Sequence, residues 1–228
     1  GFRSGGPVRT IANIVDHLGD EFNILIVTSD RDHLDHLPYS SVQVDSWNAV
    51  GKAQVFYASS CTLNLIGIAS LLRDTPHDLL YLNSFFSFSF TTLPLLVCRL
   101  GLVSRSSCVV APRGEFSPAA LSINKWKKIL SFSIFRLLGL YTNLSWHASS
   151  ITEANHIRLF IKDIFSRIYI ASDLPPLFSP KGAYSSDLSI RSPGCFRVVF
   201  LSRICPMKNL DFLLPQETKK AEVLHHQT

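Results

Sequence analysis

Short apolar runs alternate with amphipathic stretches along most of the chain. From Pro7 to Leu18, apolar residues fall at Val8, Ile11, Ala12, Val15 and Leu18, which is helical spacing, with Pro7 suited to a first turn and Gly19 to an end. Asn23 to Thr28 is a compact run rich in branched residues, the pattern of a buried parallel strand. Further strands are predicted at Gln54 to Ala58, Asp78 to Asn83, Cys108 to Ala111, Asn143 to His147, Ile168 to Ala171 and Arg197 to Ser202. Helices are predicted at Leu63 to Arg73, at Asn124 to Leu140, from Ser150, where Ser150-Ile151-Thr152-Glu153 has capping-box spacing, and from Lys208. The charge-free run from Leu82 to Cys98 holds Pro94 and is too short for a membrane span, so it reads as a helix packed on a sheet.

Repeated strand–loop–helix units imply an α/β fold: a Rossmann-like, doubly wound parallel sheet, followed by the first strand and helix start of a second Rossmann-like domain. The predicted division is 1–174 for the first domain, lacking its first strand, then a Pro-, Gly- and Ser-rich linker at 175–194. The start of a truncated second domain follows at 195–214, and an aberrant polar tail at 215–228.

Composition narrows the class. Of 228 residues, 46% are hydrophobic and 17% charged, below the roughly 25% of an average domain, which excludes disorder. A net charge of +5 suits phosphate ligands or an anionic membrane face and is too weak to argue for nucleic acid. Cys61, Cys98, Cys108, Cys195 and Cys205 form no CxxC pair and read as reduced, buried thiols of a cytosolic protein. No signal-peptide pattern is present.

In open parallel sheets ligands bind beyond the carboxyl ends of strands, so the loops there carry the candidate chemistry. Gly5 and Gly6 precede a helix N-terminus, where backbone N–H groups can meet an anion; the alternative is an ordinary turn. Arg203 and Lys208 flank a strand-to-helix junction, suited to a diphosphate or simply a solvated pair. Arg113 and Glu115 follow a strand and either bind hydroxyls or phosphate, or pair with each other. Asn83 and Ser84 form a polar strand tip. His147, at another strand end, is a ligand-binding or catalytic group, or a core histidine. Asp30-Arg31-Asp32 has DxD spacing for a metal or is a common acidic turn. Lys125, Lys127 and Lys128 open a helix beside Trp126, either as a membrane-facing surface or as a solvated helix end.

Taken in order, Gly-Gly-Pro-Val-Arg-Thr (5–10), Tyr-Leu-Asn-Ser (81–84), Ala-Pro-Arg-Gly-Glu-Phe-Ser-Pro (111–118), Trp-His-Ala-Ser-Ser (146–150) and Leu-Ser-Arg-Ile-x-Pro-x-Lys-Asn-Leu-Asp (201–211) resemble family 4 glycosyltransferases. The resemblance implies a GT-B fold and retaining, metal-independent transfer. The donor would be a nucleotide-diphosphate sugar, with no other cofactor. A hexosyl group would pass to a glycan or lipid-linked acceptor in surface polysaccharide biosynthesis. It implies that Gly5, Gly6, Arg203 and Lys208 hold the donor diphosphate, that Arg113 and Glu115 are the catalytic candidates, and that Asn83, Ser84 and His147 lie on the acceptor side. The family's paired-glutamate element has no counterpart here, nor does the strand before Gly5, so the chain is expected to be a truncated fragment, inactive alone. A cytoplasmic location is expected, peripheral to the inner membrane face. A non-catalytic Rossmann-like remnant or interaction module is the alternative. A dinucleotide oxidoreductase is disfavoured, because no GxGxxG is followed by an acidic residue at the required distance.

Overall fold

The computed structural model describes residues 6–32, 35–103, 107–123, 125–142, 144–161 and 167–177. Gly5, Cys195, Arg203, Cys205 and Lys208 lie outside these residues. So do most of the predicted linker, the predicted second-domain strand and helix start, and the tail.

The protein is a mixed α/β structure whose larger sheet is all-parallel and flanked by helices. A smaller sheet holds β1 (Ile24–Ser29), β2 (Trp47–Val50) and β3 (Ala53–Ala58), in the order β1-β3-β2. β1 runs parallel to β3, as expected, but β2 pairs with β3 in antiparallel register. That departure from a purely parallel sheet has a local cause. Only Gly51 and Lys52 separate the two strands, and a two-residue link permits antiparallel pairing alone. Gly51 supplies the left-handed turn at φ 58°.

The larger sheet holds β4 (Leu79–Asn83), β5 (Ser107–Ala111), β6 (Ser145–Ala148) and β7 (Arg167–Ile170), in that order. Side chains alternate across a strand, so register decides which residues share a face. Leu82 pairs with Val110, Val110 with Trp146, and Trp146 with Ile168, forming one apolar row across all four strands. This row builds the main core with Phe85, Phe116, Phe135 and Ile157. Tyr81, Asn83 and His147 occupy the alternate positions and so face the other way.

Helix α1 (Gly6–Leu18) begins one residue before Pro7, so Gly6 is its exposed first residue. Two of its polar side chains hold the segment after β7. Buried Asn13 donates to the Leu174 carbonyl at 2.7 Å, and His17 Nε2 lies 2.8 Å from the Pro175 carbonyl. Helix α2 (Leu65–Asp74) starts at Asn64, whose side-chain oxygen accepts from the N–H groups of Ile66 and Gly67. The charge-free run after β4 forms a π-helical turn (Phe88–Thr92) leading into α3 (Leu93–Arg99), with Leu93, Leu95 and Val97 buried. No helix among the described residues is long and apolar enough to cross a membrane.

The helix expected over Asn124 to Leu140 is α5 (Lys125–Leu137), and a short helix not expected from the sequence, α4 (Pro118–Ser122), capped by Ser117, precedes it. Helix α6 (Ile151–Ile161) follows β6. The cysteines correct one expectation: Cys61 is exposed and Cys98 and Cys108 are only half-buried, all three as free thiols. Cys108 sits in a strand facing the core, and its burial pushes the thiol up to about 12.

Candidate functional site

Asn83, Ala111, Ala148 and Ile170 end four adjacent parallel strands, so the residues after them share one edge of the sheet. Arg113 is the hub of that edge. Its Nε donates to Asn83 Oδ1 at 2.7 Å, its Nη1 to Asp173 Oδ1 at 2.5 Å, and its Nη2 to the Tyr81 hydroxyl at 3.0 Å. One guanidinium thus spans β4, the β5 loop and the segment after β7, which its planar fork suits and a lysine would not. Three of its roughly five N–H donors are used this way.

The Tyr81 hydroxyl also lies 2.5 Å from His147 Nδ1, and His147 Nε2 lies 2.8 Å from the Ala171 carbonyl. A carbonyl only accepts, so Nε2 carries a hydrogen. In the neutral ring Nδ1 is then the acceptor and the phenol donates to it. The order is Arg113 to Tyr81 to His147 to Ala171. Burial raises the Tyr81 phenol above its ordinary value; the Arg113 charge opposes this without cancelling it. The hydroxyl therefore keeps the proton that the chain requires.

Two carboxylates hold the loops. Glu115 accepts from Ser84 Oγ at 2.8 Å through one oxygen, and from the backbone N–H groups of Phe85 at 2.5 Å and Phe86 at 3.2 Å through the other. Both oxygens are occupied by the loop after β4. Through these bonds Glu115 holds Ser84 and the start of the loop after β4 in place. Arg113 pairs with Asp173 and not with Glu115, so the simple Arg–Glu pair considered from sequence does not form.

Glu153 does the same for the next two loops. Its Oε1 accepts from the Gly114 N–H at 2.6 Å, and its Oε2 from the Ser149 N–H at 2.7 Å and the Ser149 hydroxyl at 2.6 Å. Half of the predicted capping box forms, with Ser150 Oγ accepting from the Glu153 N–H at 3.2 Å. The reciprocal carboxylate bond goes to Ser149 and Gly114 instead. Burial pushes the Glu153 carboxyl up, but the bonds from Ser149 and Gly114, with the Arg113 charge, outweigh it and hold it below its ordinary value of 4.5.

The backbone is forced where these contacts meet. Ser84 stands at φ 142°, Arg113 at φ 54° and Gly114 at φ 77°. Two non-glycine residues with positive φ, on adjacent loops at one sheet edge, are the pattern of a site whose surroundings over-determine it.

A depressed carboxyl in the fold adds stability that is present above its ordinary value and is lost as pH falls through the folded value. Wild-type protein is therefore expected to lose urea resistance as pH drops below about 4.5, and Glu153→Gln to show a flatter profile there. Unfolding midpoints compared between pH 7 and pH 3 check this; identical slopes for both proteins would refute it.

Asn83, Ser84, Arg113, Glu115 and His147 are thus brought together at one edge. Gly6 opens α1, and Gly5, expected to act with it, lies outside the described residues, as do Arg203 and Lys208. The DxD turn is internally engaged: buried Asp30 is gripped by Arg31 through both oxygens, at 2.7 and 2.9 Å. Tyr81, Glu153 and Asp173 join the site unannounced. For Tyr81 a signal existed, since it lies two positions before Asn83 on the same strand and so on the same face.

No protein-family model matches the chain, and neither a curated protein nor a solved structure matches it.

Proposed function

We propose that this sheet edge is the acceptor side of a nucleotide-sugar glycosyltransferase of the family 4 type, with a GT-B arrangement and retaining, metal-independent chemistry. A hexosyl group would pass from a nucleotide diphosphate to a glycan or lipid-linked acceptor at the cytoplasmic membrane face, in surface polysaccharide biosynthesis. The observation that carries the reading is the convergence of Asn83, Arg113 and His147 from three strand ends on one guanidinium-centred network, with Ser84 held beside it by Glu115. Such an edge gathers polar donors and acceptors of the kind that bind sugar hydroxyls or a lipid phosphate. In this reading Gly5, Gly6, Arg203 and Lys208 would hold the donor. The Arg203–Lys208 pair would stabilise charge on the diphosphate as it leaves with the bonding electrons, while the acceptor hydroxyl oxygen bonds the anomeric carbon and its proton passes to the departing phosphate oxygen.

The test is a titration of the chain with a short-chain polyprenyl-pyrophosphoryl sugar and, separately, with UDP- and GDP-hexoses, read by NMR at the Arg113 and His147 side chains. The expected result is a shift of both signals with the acceptor. Arg113→Lys, which keeps the charge and loses the fork, should weaken that binding about tenfold or more. Signals unmoved by all three ligands would overturn the reading.

A further inference from the structure

Helix α5 turns an apolar stripe away from the protein. On a wheel of about 100° per residue, Trp126, Leu130, Ile134 and Leu137 fall on one face, opposite Phe135, which is buried in the core. That outer face is bare: Trp126 is 66% exposed and Leu137 85%. A surface helix ordinarily puts charge there. The apolar surface continues through exposed Ile129, and the cations sit beyond its two sides, Lys127 next to Ile134, and Arg136 and Lys125 next to Ile129, all exposed. Lys128 points elsewhere, donating to the Ala120 carbonyl at 2.5 Å and lying 5.3 Å over the Phe86 ring.

The charge balance around the stripe is one-sided. No acidic residue occurs between Glu115 and Glu153. An apolar face rimmed by cations, without carboxylates, complements an anionic bilayer, with the stripe at the acyl boundary and the rim among headgroups. A protein partner would more commonly meet a polar rim of both signs. The helix also starts on the correct side. It follows the β5 loop and α4, so its Trp126 end lies toward the strand ends that carry Arg113.

We infer that the outer face of α5 lies in the headgroup region of an anionic lipid bilayer, through Trp126, Leu130, Ile134 and Leu137, with Lys125, Lys127 and Arg136 on lipid phosphates. The inference rests on the helix surface and not on the transfer chemistry, so vesicle binding without acceptor binding would leave it standing while the functional reading fell.

The experiment is co-sedimentation of the full chain with phosphatidylcholine vesicles, with and without phosphatidylglycerol, together with tryptophan emission. Binding should be at least about tenfold stronger to the anionic vesicles and fall with salt. A blue shift should accompany it that disappears in Trp126→Phe, although Trp47 and Trp146 remain. The paired changes Leu130→Glu and Leu137→Glu, at exposed positions that leave the core untouched, should abolish binding, while circular dichroism reports an intact fold. Equal binding to both vesicle types, no binding to either, or undiminished binding by the paired variant would each overturn it. So would a paired variant that breaks up a dimer of the chain while vesicle binding is unchanged, since the stripe would then be a contact between copies.

Discussion

Trp146→Ala is expected to lower the unfolding free energy by about 3–5 kcal/mol. Trp146 is fully buried in the middle of β6, in the row that runs from Leu82 through Val110 to Ile168. Phe85 stands 5.8 Å from its ring centre and Phe116 6.1 Å. Those rings in turn pack against Phe135 and Phe160, so a void at Trp146 has stiff neighbours that cannot collapse into it. Trp146→Phe should behave differently. The indole N–H is buried and finds no hydrogen-bond partner among the described residues, a condition that costs on the order of 1–3 kcal/mol. Phenylalanine removes that donor while keeping most of the ring, so the lost packing and the relieved polar group offset each other and the net loss should stay near 1 kcal/mol or less. Urea unfolding of both variants is the measurement. Equal losses for Phe and Ala would mean that the indole N–H carries no penalty.

Part of this fold is legible in the sequence and part is not. Parallel strands are apolar runs, so β1, β4 and β5 stand out, and the expected β6 starts two residues early; but β1, expected to be buried, is only half-buried along its whole length. The edge strand β2 does not stand out, because Trp-Asn-Ala-Val has neither a long apolar run nor a clean alternation, and its pairing is decided by the Gly51-Lys52 turn. Site residues followed a similar division. Asn83, Arg113 and His147 were legible as polar groups at strand ends. The partner of Glu153 was not: the capping-box pattern marked the residue, but its bond to Gly114 spans 39 positions and depends on how β5 and β6 lie side by side. Asp173 gave even less warning, since an exposed acid in a Pro-rich stretch looks like solvent-facing linker. Local rules locate a side chain; which neighbour it meets is settled by sheet order.

Glu115 is where that difference has its greatest consequence for the site. Glu115→Ala should cost about 2–3 kcal/mol and displace the loop that presents Asn83 and Ser84. Alanine leaves the Phe85 and Phe86 N–H groups without their acceptor and removes the contact that holds Ser84 at φ 142°. Glu115→Gln should cost about 1 kcal/mol or less. The amide oxygen can take both backbone N–H groups, and its NH2 can donate to the Ser84 hydroxyl, which turns to accept. A catalytic carboxyl would invert the pattern. The amide would then abolish activity while stability barely moved, whereas a strap tolerates the amide in both respects. Stability and acceptor affinity measured on the two variants separate these cases. If Glu115 is a strap, Gln keeps both and Ala loses both, with the affinity loss following the freed backbone around Ser84, because Asn83 carries one arm of the Arg113 network.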